Sequence, residues 1–344
     1  MVSCNRLQMT SAPVHTIADI ARLAGVSKST VSRALNDSPL IGAETKERIR
    51  EIAREHRFEM NDPARRLSLR QSHVIALVTY VYRAETSVPD AFMLEIMSGI
   101  AAGLHASGYD LLVIQVGPND TDWVRQYLES GRVDGFIVMS ATCTQRHIRS
   151  LVDAKAPFIM FGIQEGSSGY SSVSGDNFAG GKAATEHLLQ AGRSRIAFLG
   201  GFAKAVEVQE RYGGYEAALH EAGREVDPAL VGHGDFSEAS GAAVMGALLE
   251  RAPDLDAVFA NSDLMAIAAM EEIRARGRRV PEDVAVVGYD DVLSARHSDP
   301  PLTTIRQNGP LAGRLLAENL IQHLRTGVVS NVSIPAELVV RKSA

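Results

Sequence analysis

Long apolar runs are missing from this chain: nothing in it approaches the roughly 18 uncharged apolar residues that a membrane-spanning helix needs. The opening MVSCNRLQMTSAPVHTIADI also lacks the apolar core of a secretory signal. Both absences point to a cytoplasmic protein and count against an exported solute-binding protein. Cysteine is scarce as well. Cys4 and Cys143 have neither the count of a disulfide framework nor the spacing of a metal site, which suits a reducing compartment.

Catalytic patterns are equally hard to find. The ten histidines form no H-E-x-x-H or paired spacing, and His187 within ATEHLL reads as a helix-face residue, not a ligand. There is no G-x-S-x-G elbow and no G-x-G-x-x-G fingerprint. The stretch GDNFAGGKA (175–183) imitates a phosphate loop but fails it: Gly181 stands where a lysine should follow Gly180, and Ala183 offers no hydroxyl for a metal. It reads as a crossover turn with close helix packing. No enzyme, metal or cofactor is expected.

What is present is enough apolar sequence for two or three domains with real cores: 344 residues, 45% hydrophobic and 22% charged. Charge is unevenly spread. Residues 1–72 hold 12 lysines and arginines against 8 acids, net +4, while the remainder holds 23 against 33, net -10. A small basic module ahead of an acidic body suits nucleic-acid binding by the first part.

That module has its own pattern. Thr16 with Asp19 is a capping-box start, and Ile17, Ile20, Ala21 and Ala24 recur at helical spacing until Gly25 breaks the run. Ser27 then caps a second helix in which Val31, Ala34 and Leu35 point inward and Lys28, Ser29, Ser32 and Arg33 outward. A third helix is predicted from Ala43 to His56, with Ile49, Ile52 and Ala53 apolar and Gly42 as its cap. Three short helices around one turn make a helix-turn-helix. Its second helix exposes a cation, the hydroxyls of Ser29, Thr30 and Ser32, and an arginine whose fork matches guanine O6 and N7; the same hydroxyls also suit phosphates.

These residues, TIADIARLAGVSKSTVSRALN followed by ETKERIREIAREHRFEMN, resemble the headpiece of the lactose/galactose repressor family of bacterial transcription regulators. The resemblance places Lys28, Ser29 and Arg33 at base-reading positions and Thr16, Ser27, Thr30, Ser32 and Asn36 at phosphate positions. It also gives NDPARRLSL (61–69) a role. Asp62 and Pro63 can open one short helix, Ala64 to Leu69, flanked by Arg65, Arg66 and Arg70, too short to hold a core. In the family such a hinge helix orders on the operator and wedges a leucine into the minor groove, so Asn61, Ala64 and Leu67 are the candidates there.

From His73 onward, apolar runs (VIALVTY, LLVIQV, GFIVMS, PFIMFG, RIAFLG, DAVFA, VAVVGY) alternate with helical stretches. Such alternation predicts parallel sheets covered on both faces, and the number of runs predicts two doubly wound halves. The chain is expected to cross between them near Ser174–Asn177, Ile305–Asn308 and Gly327–Asn331. The domain plan is an extension (1–14), a headpiece (15–60), a hinge (61–72) and a body (73–344). Within the body, an amino-terminal half takes about 73–175 and 308–327, and a carboxyl-terminal half about 176–306 and 330–342.

Ligands of open α/β sheets sit beyond the carboxyl ends of the strands, which nominates Tyr80, Asn261, Ser262, Asp263 and Asp290. VSGDNFAGGKAATEHLLQAG, QERYGGYEAAL, ANSDLMAIAAM, VAVVGYDD and DPPLTTIRQ extend the family resemblance over the body, whose fold the family shares with periplasmic sugar-binding proteins. By that resemblance Arg211 and Asp290 hold the effector, Phe236 is an aromatic that stacks on a sugar or a base, and Phe92 and Met93 approach from the amino-terminal half. The expectation is a homodimeric regulator of operator DNA, a repressor in preference to an activator, switched by a sugar, with a purine or nucleoside as the alternative. The end at ELVVRKSA leaves no extra helix for tetramer formation.

Overall fold

The computed structural model describes residues 16–35, 37–56, 58, 71–80, 91–117, 120, 122–140, 143–163 and 169–344, with the Tyr80 side chain excepted. Asn36, Asn61, Ala64, Leu67 and the rest of the hinge, together with the first fourteen residues, lie outside that set. The chain divides into two compact units, 1–71 and 72–344.

The first unit is built from α1 (Ile17–Ala24), α2 (Lys28–Leu35) and α3 (Ala43–Glu55). Thr16 and Asp19 form the full capping box of α1: Thr16 Oγ1 accepts the Asp19 N–H and the Asp19 carboxylate accepts the Thr16 N–H. Gly25 ends the helix at φ +65°, a left-handed position that costs glycine little. Ile20, Ala24, Val31, Ala34, Ile49 and Ala53 close a small core, with Leu35 half-buried at its margin. Asp37 ties the loop after α2 to α3 through Lys46 at 3.0 Å and Arg50 at 2.9 Å, and these hydrogen-bonded cations hold its carboxyl below the usual range.

The second unit holds two six-stranded sheets. The first runs β11-β5-β4-β3-β1-β2 and is parallel throughout: β1 (Val74–Tyr80), β2 (Asp110–Val116), β3 (Gly135–Met139), β4 (Phe158–Phe161), β5 (Ser171–Gly175) and β11 (Asn331–Ile334). The second runs β12-β10-β9-β8-β6-β7: β6 (Ile196–Gly200), β7 (Val231–His233), β8 (Ala257–Ala260), β9 (Ala285–Asp290), β10 (Thr303–Arg306) and β12 (Glu337–Val339), parallel except for β12 against β10. Central strands such as β3 and β8 are buried along their whole length, as strands covered on both faces must be.

The chain passes between halves after β5 and after β10. A third crossing comes later than the sequence suggests. Residues 331–334 pair with β5 in the first sheet, so the change of side falls between β11 and β12, not at Gly327–Asn331. The reason is that Gly327, at φ +71°, only caps the preceding helix, α12 (Gly309–Thr326), and the chain returns to its own sheet before leaving it.

Two helix pairs brace the halves. In the first, α4 (Ala91–Ala106) packs on α12; in the second, α7 (Asn177–Gln190) packs on α8 (Val206–Glu221). The GDNFAGGKA segment belongs to the second pair: Asp176 caps α7 through the Ala179 N–H, and Gly181 lies where a Cβ would come within 2.2 Å of the Arg211 carbonyl. That contact lets α8 lie directly on α7 and sets the height of Arg211.

Candidate functional site

Two constellations stand out, one in each unit. In the first unit, the start of α2 gathers hydroxyls. Ser27 Oγ accepts the Thr30 N–H at 3.1 Å and lies 2.7 Å from Ser29 Oγ and 2.8 Å from Thr30 Oγ1. Lys28, Ser29 and Arg33 are exposed, and neither cation forms an ion pair among the described residues. A helix start that bears hydroxyls, unpaired cations and free N–H groups can meet phosphates and base edges. Thr16 is exposed at the start of α1, where its hydroxyl donates to Asp19 at 2.8 Å.

The second constellation gathers at the carboxyl ends of β8 and β9, where α7 and α8 begin. Arg211 is buried, yet its guanidinium stacks 3.7 Å over the ring of Tyr289. Its Nε donates to Asn177 Oδ1 at 2.8 Å and its Nη1 to the Asn261 carbonyl at 2.5 Å. Burial pushes the Tyr289 hydroxyl up to about 12, so the ring under the cation stays neutral. Asn261 is fully buried, and neither end of its side-chain amide has a partner among the described residues. A buried amide without partners carries a desolvation cost that ligand groups can relieve.

Asp290 ends β9 at φ 123°, and Asp291 follows at φ 61°. The Asp290 carboxylate accepts the Gln307 side-chain N–H at 2.6 Å, which ties it to the second crossing. Burial works against the charge of Asp291, but hydrogen bonds from Arg341 and Arg306 hold its carboxyl below the usual range. Underneath lies Asp263, the first residue of α10 (Asp263–Ala275). It is wholly buried, and its carboxylate accepts the Thr304 hydroxyl and the Val292 N–H at 2.9 Å. Burial pushes this carboxyl up to about 7 against those hydrogen bonds.

The remaining nominees are less closely joined to this cluster. Ser262 caps α10 through the Met265 N–H at 3.2 Å, so its hydroxyl already has a structural duty. Phe236 is half-buried at φ 67°, with its ring over Gly201, where a Cβ would come within 2.2 Å of it. Phe92 and Met93 open α4 half-buried, Phe92 at 5.9 Å from the Phe161 ring. Tyr80 ends β1. The sequence reading missed Asn177, Gln307 and Tyr289, whereas Asp263 stood among its strand-end nominees. Asn177 had a visible signal as the first helical residue after a strand, inside a stretch already singled out. An open groove beside Tyr212, Glu216 and His220 offers no comparable group, since its His220–Glu225 pair is solvent-facing.

A two-lobed α/β body with a polar cluster at its strand ends, carried behind a helix-turn-helix, defines a ligand-responsive DNA-binding protein. Residues 16–61 match the model for bacterial regulatory proteins of the lacI family, and residues 185–344 match the periplasmic binding protein-like domain. The chain is 38% identical to the HTH-type transcriptional regulator CelR of Thermobifida fusca, over 95% of this chain and 98% of CelR. It is 31% identical to the HTH-type transcriptional repressor PurR of Haemophilus influenzae (strain PittEE), over 95% and 98%. Among solved structures it resembles a complex of the regulator CelR with cellobiose (TM-score 0.75, 36% identity, 96% and 99% coverage). It also resembles the Lac repressor dimer bound to operator and the anti-inducer ONPF (TM-score 0.80, 28% identity, 96% and 99%). The chain belongs to the lacI family of bacterial regulatory proteins, and it is an effector-controlled DNA-binding transcription regulator, not an enzyme.

Proposed function

We propose that the protein is a cytoplasmic, homodimeric repressor that binds a near-palindromic operator and is switched by a sugar. Lys28, Ser29 and Arg33 read bases, while Thr16, Ser27, Thr30, Ser32 and Asn36 hold phosphates. Asn61, Ala64 and Leu67 enter the minor groove at the centre. Arg211, Asp290 and Asn261 bind the effector, with Tyr80, Phe92, Met93, Phe236 and Ser262 around them. In this plan the extension takes residues 1–14, the headpiece 15–60 and the hinge 61–72.

The observation that carries the effector reading is the placing of Arg211. Its fork is fixed by Asn177 and Asn261, and it is stacked on Tyr289 beside an amide with unmet hydrogen bonds. A preset guanidinium, a carboxylate and an amide together match the vicinal hydroxyls of a pyranose. Likeness to CelR, solved with cellobiose, favours a sugar; the aromatic at Phe236 and likeness to PurR keep a purine as the second reading. A thermal-shift screen of the whole chain with cellobiose, glucose and hypoxanthine separates them, because a ligand that binds only the folded state raises Tm. A rise with cellobiose or glucose supports the sugar reading, and a rise with hypoxanthine alone overturns it.

A further inference from the structure

Glu207 is an acid that the effector reading leaves unused. It stands in the first turn of α8, one helical turn before Arg211, and is only 8% exposed. A buried carboxylate is costly unless it is paired or well hydrogen-bonded. Among the described residues, however, no lysine or arginine pairs with it. Its partner is the hydroxyl of Ser140, which reaches its two oxygens at 3.2 and 3.3 Å. One proton shared at those lengths is a weak bond, since O–H···O contacts favour about 2.7–2.8 Å.

Ser140 comes from the other half of the body, directly after β3. Gly162 makes room for it: at φ +133°, any Cβ there would come within 1.9 Å of Ser140 Oγ. The contact therefore joins the two halves at the carboxyl end of a first-sheet strand, beside the helix that carries Arg211. An ionised carboxylate has about four acceptor sites and donates nothing, so a single shared serine proton leaves most of its capacity open. Hydroxyl donors satisfy such a group. A second anion is repelled by it, and Asp290 adds a further negative charge against the one guanidinium of Arg211.

We propose that Glu207 and Ser140 form a clamp between the halves that selects the charge of the effector: an uncharged, hydroxyl-rich ligand donates to Glu207 and joins the halves, and a phosphorylated ligand is turned away. This rests on the sugar reading above and narrows it to unphosphorylated sugars. The test is calorimetric titration of the full-length protein and its Glu207→Gln variant with glucose, cellobiose and glucose 6-phosphate. The wild type should prefer a neutral sugar over glucose 6-phosphate by 100-fold or more, and Glu207→Gln should shrink that preference at least tenfold. Equal binding of glucose 6-phosphate by the wild type, or an unchanged preference in the variant, overturns the proposal. Should the wild type bind none of the three, the sugar reading fails on its own account. The clamp is then decided by thermal unfolding of Ser140→Ala, Glu207→Gln and the double variant: non-additive Tm shifts support the contact, and strictly additive ones overturn it.

Discussion

Arg33 and Arg211 are both arginines in helices, and their surroundings give them opposite characters. Arg33 is exposed with no ion pair among the described residues, so its fork is free for a base edge. Replacing it with alanine should cost about 1–3 kcal/mol on the true operator and much less on random DNA. Fluorescence anisotropy on both DNAs checks this, and equal losses would remove the base-reading role. Arg211 is instead committed through two of its nitrogens, and lysine could not reproduce that fork. Both were nominated from the sequence, Arg33 by its place on the exposed face of the second helix and Arg211 by the family resemblance. Gln307 and Glu207 could not be. Their roles arise only where strand ends and helix starts far apart in sequence converge, and no local pattern records that.

Asp263 carries a prediction of its own at this scale. Burial raises its folded pKa to about 7, well above the ordinary carboxyl value of 3.8. The folded state therefore holds a proton that the unfolded state has released between about pH 4 and pH 7. Stability from this group is full below about pH 4 and is lost as pH rises toward 7, by up to about 1.4 kcal/mol per pH unit. Asp263→Asn should flatten that part of the stability profile in denaturant titrations at pH 5 and pH 7. An unchanged slope would show that the carboxyl is not held protonated.

At the scale of elements, the long apolar strands and the capped headpiece helices follow from their own sequences. Thr16 with Asp19 and the breaking Gly25 bound α1 locally, and runs such as GFIVM can only be buried strands. The three-residue β7 and β12, and the short β10 and β11, carry too little pattern to be read alone. Their pairing is decided by neighbours, which is why the third crossing was misplaced. GDNFAGGKA shows the converse case, in which glycines that imitate a phosphate loop serve to seat one helix on another. Gly181→Ala should therefore destabilise the body by about 1–3 kcal/mol through forced separation of α7 and α8. It should also weaken effector binding, because the added Cβ meets the backbone of Arg211 itself. Thermal unfolding measures the first effect and effector titration the second; a neutral result in both would mean that the helices yield without cost.

On the scale of the whole molecule, control of DNA binding needs an equilibrium that the effector can bias. A ligand held between the halves of the body favours one relative orientation of them, and it shifts operator affinity only by its differential affinity for the two orientations. A hundredfold change in operator binding requires about 2.7 kcal/mol of such coupling. The clamp of Ser140 and Glu207 and the Asp290–Gln307 bond at the second crossing are positioned to feel that reorientation, since each involves residues at the junction of the halves. The most direct test is to select the operator from random DNA with the full-length protein, and then to titrate it with and without a saturating neutral sugar, for the wild type and Asp290→Ala. The sugar should change wild-type operator affinity at least tenfold and leave Asp290→Ala unmoved, with its DNA affinity intact. An operator affinity that no sugar alters, or that changes equally in Asp290→Ala, would contradict that expectation.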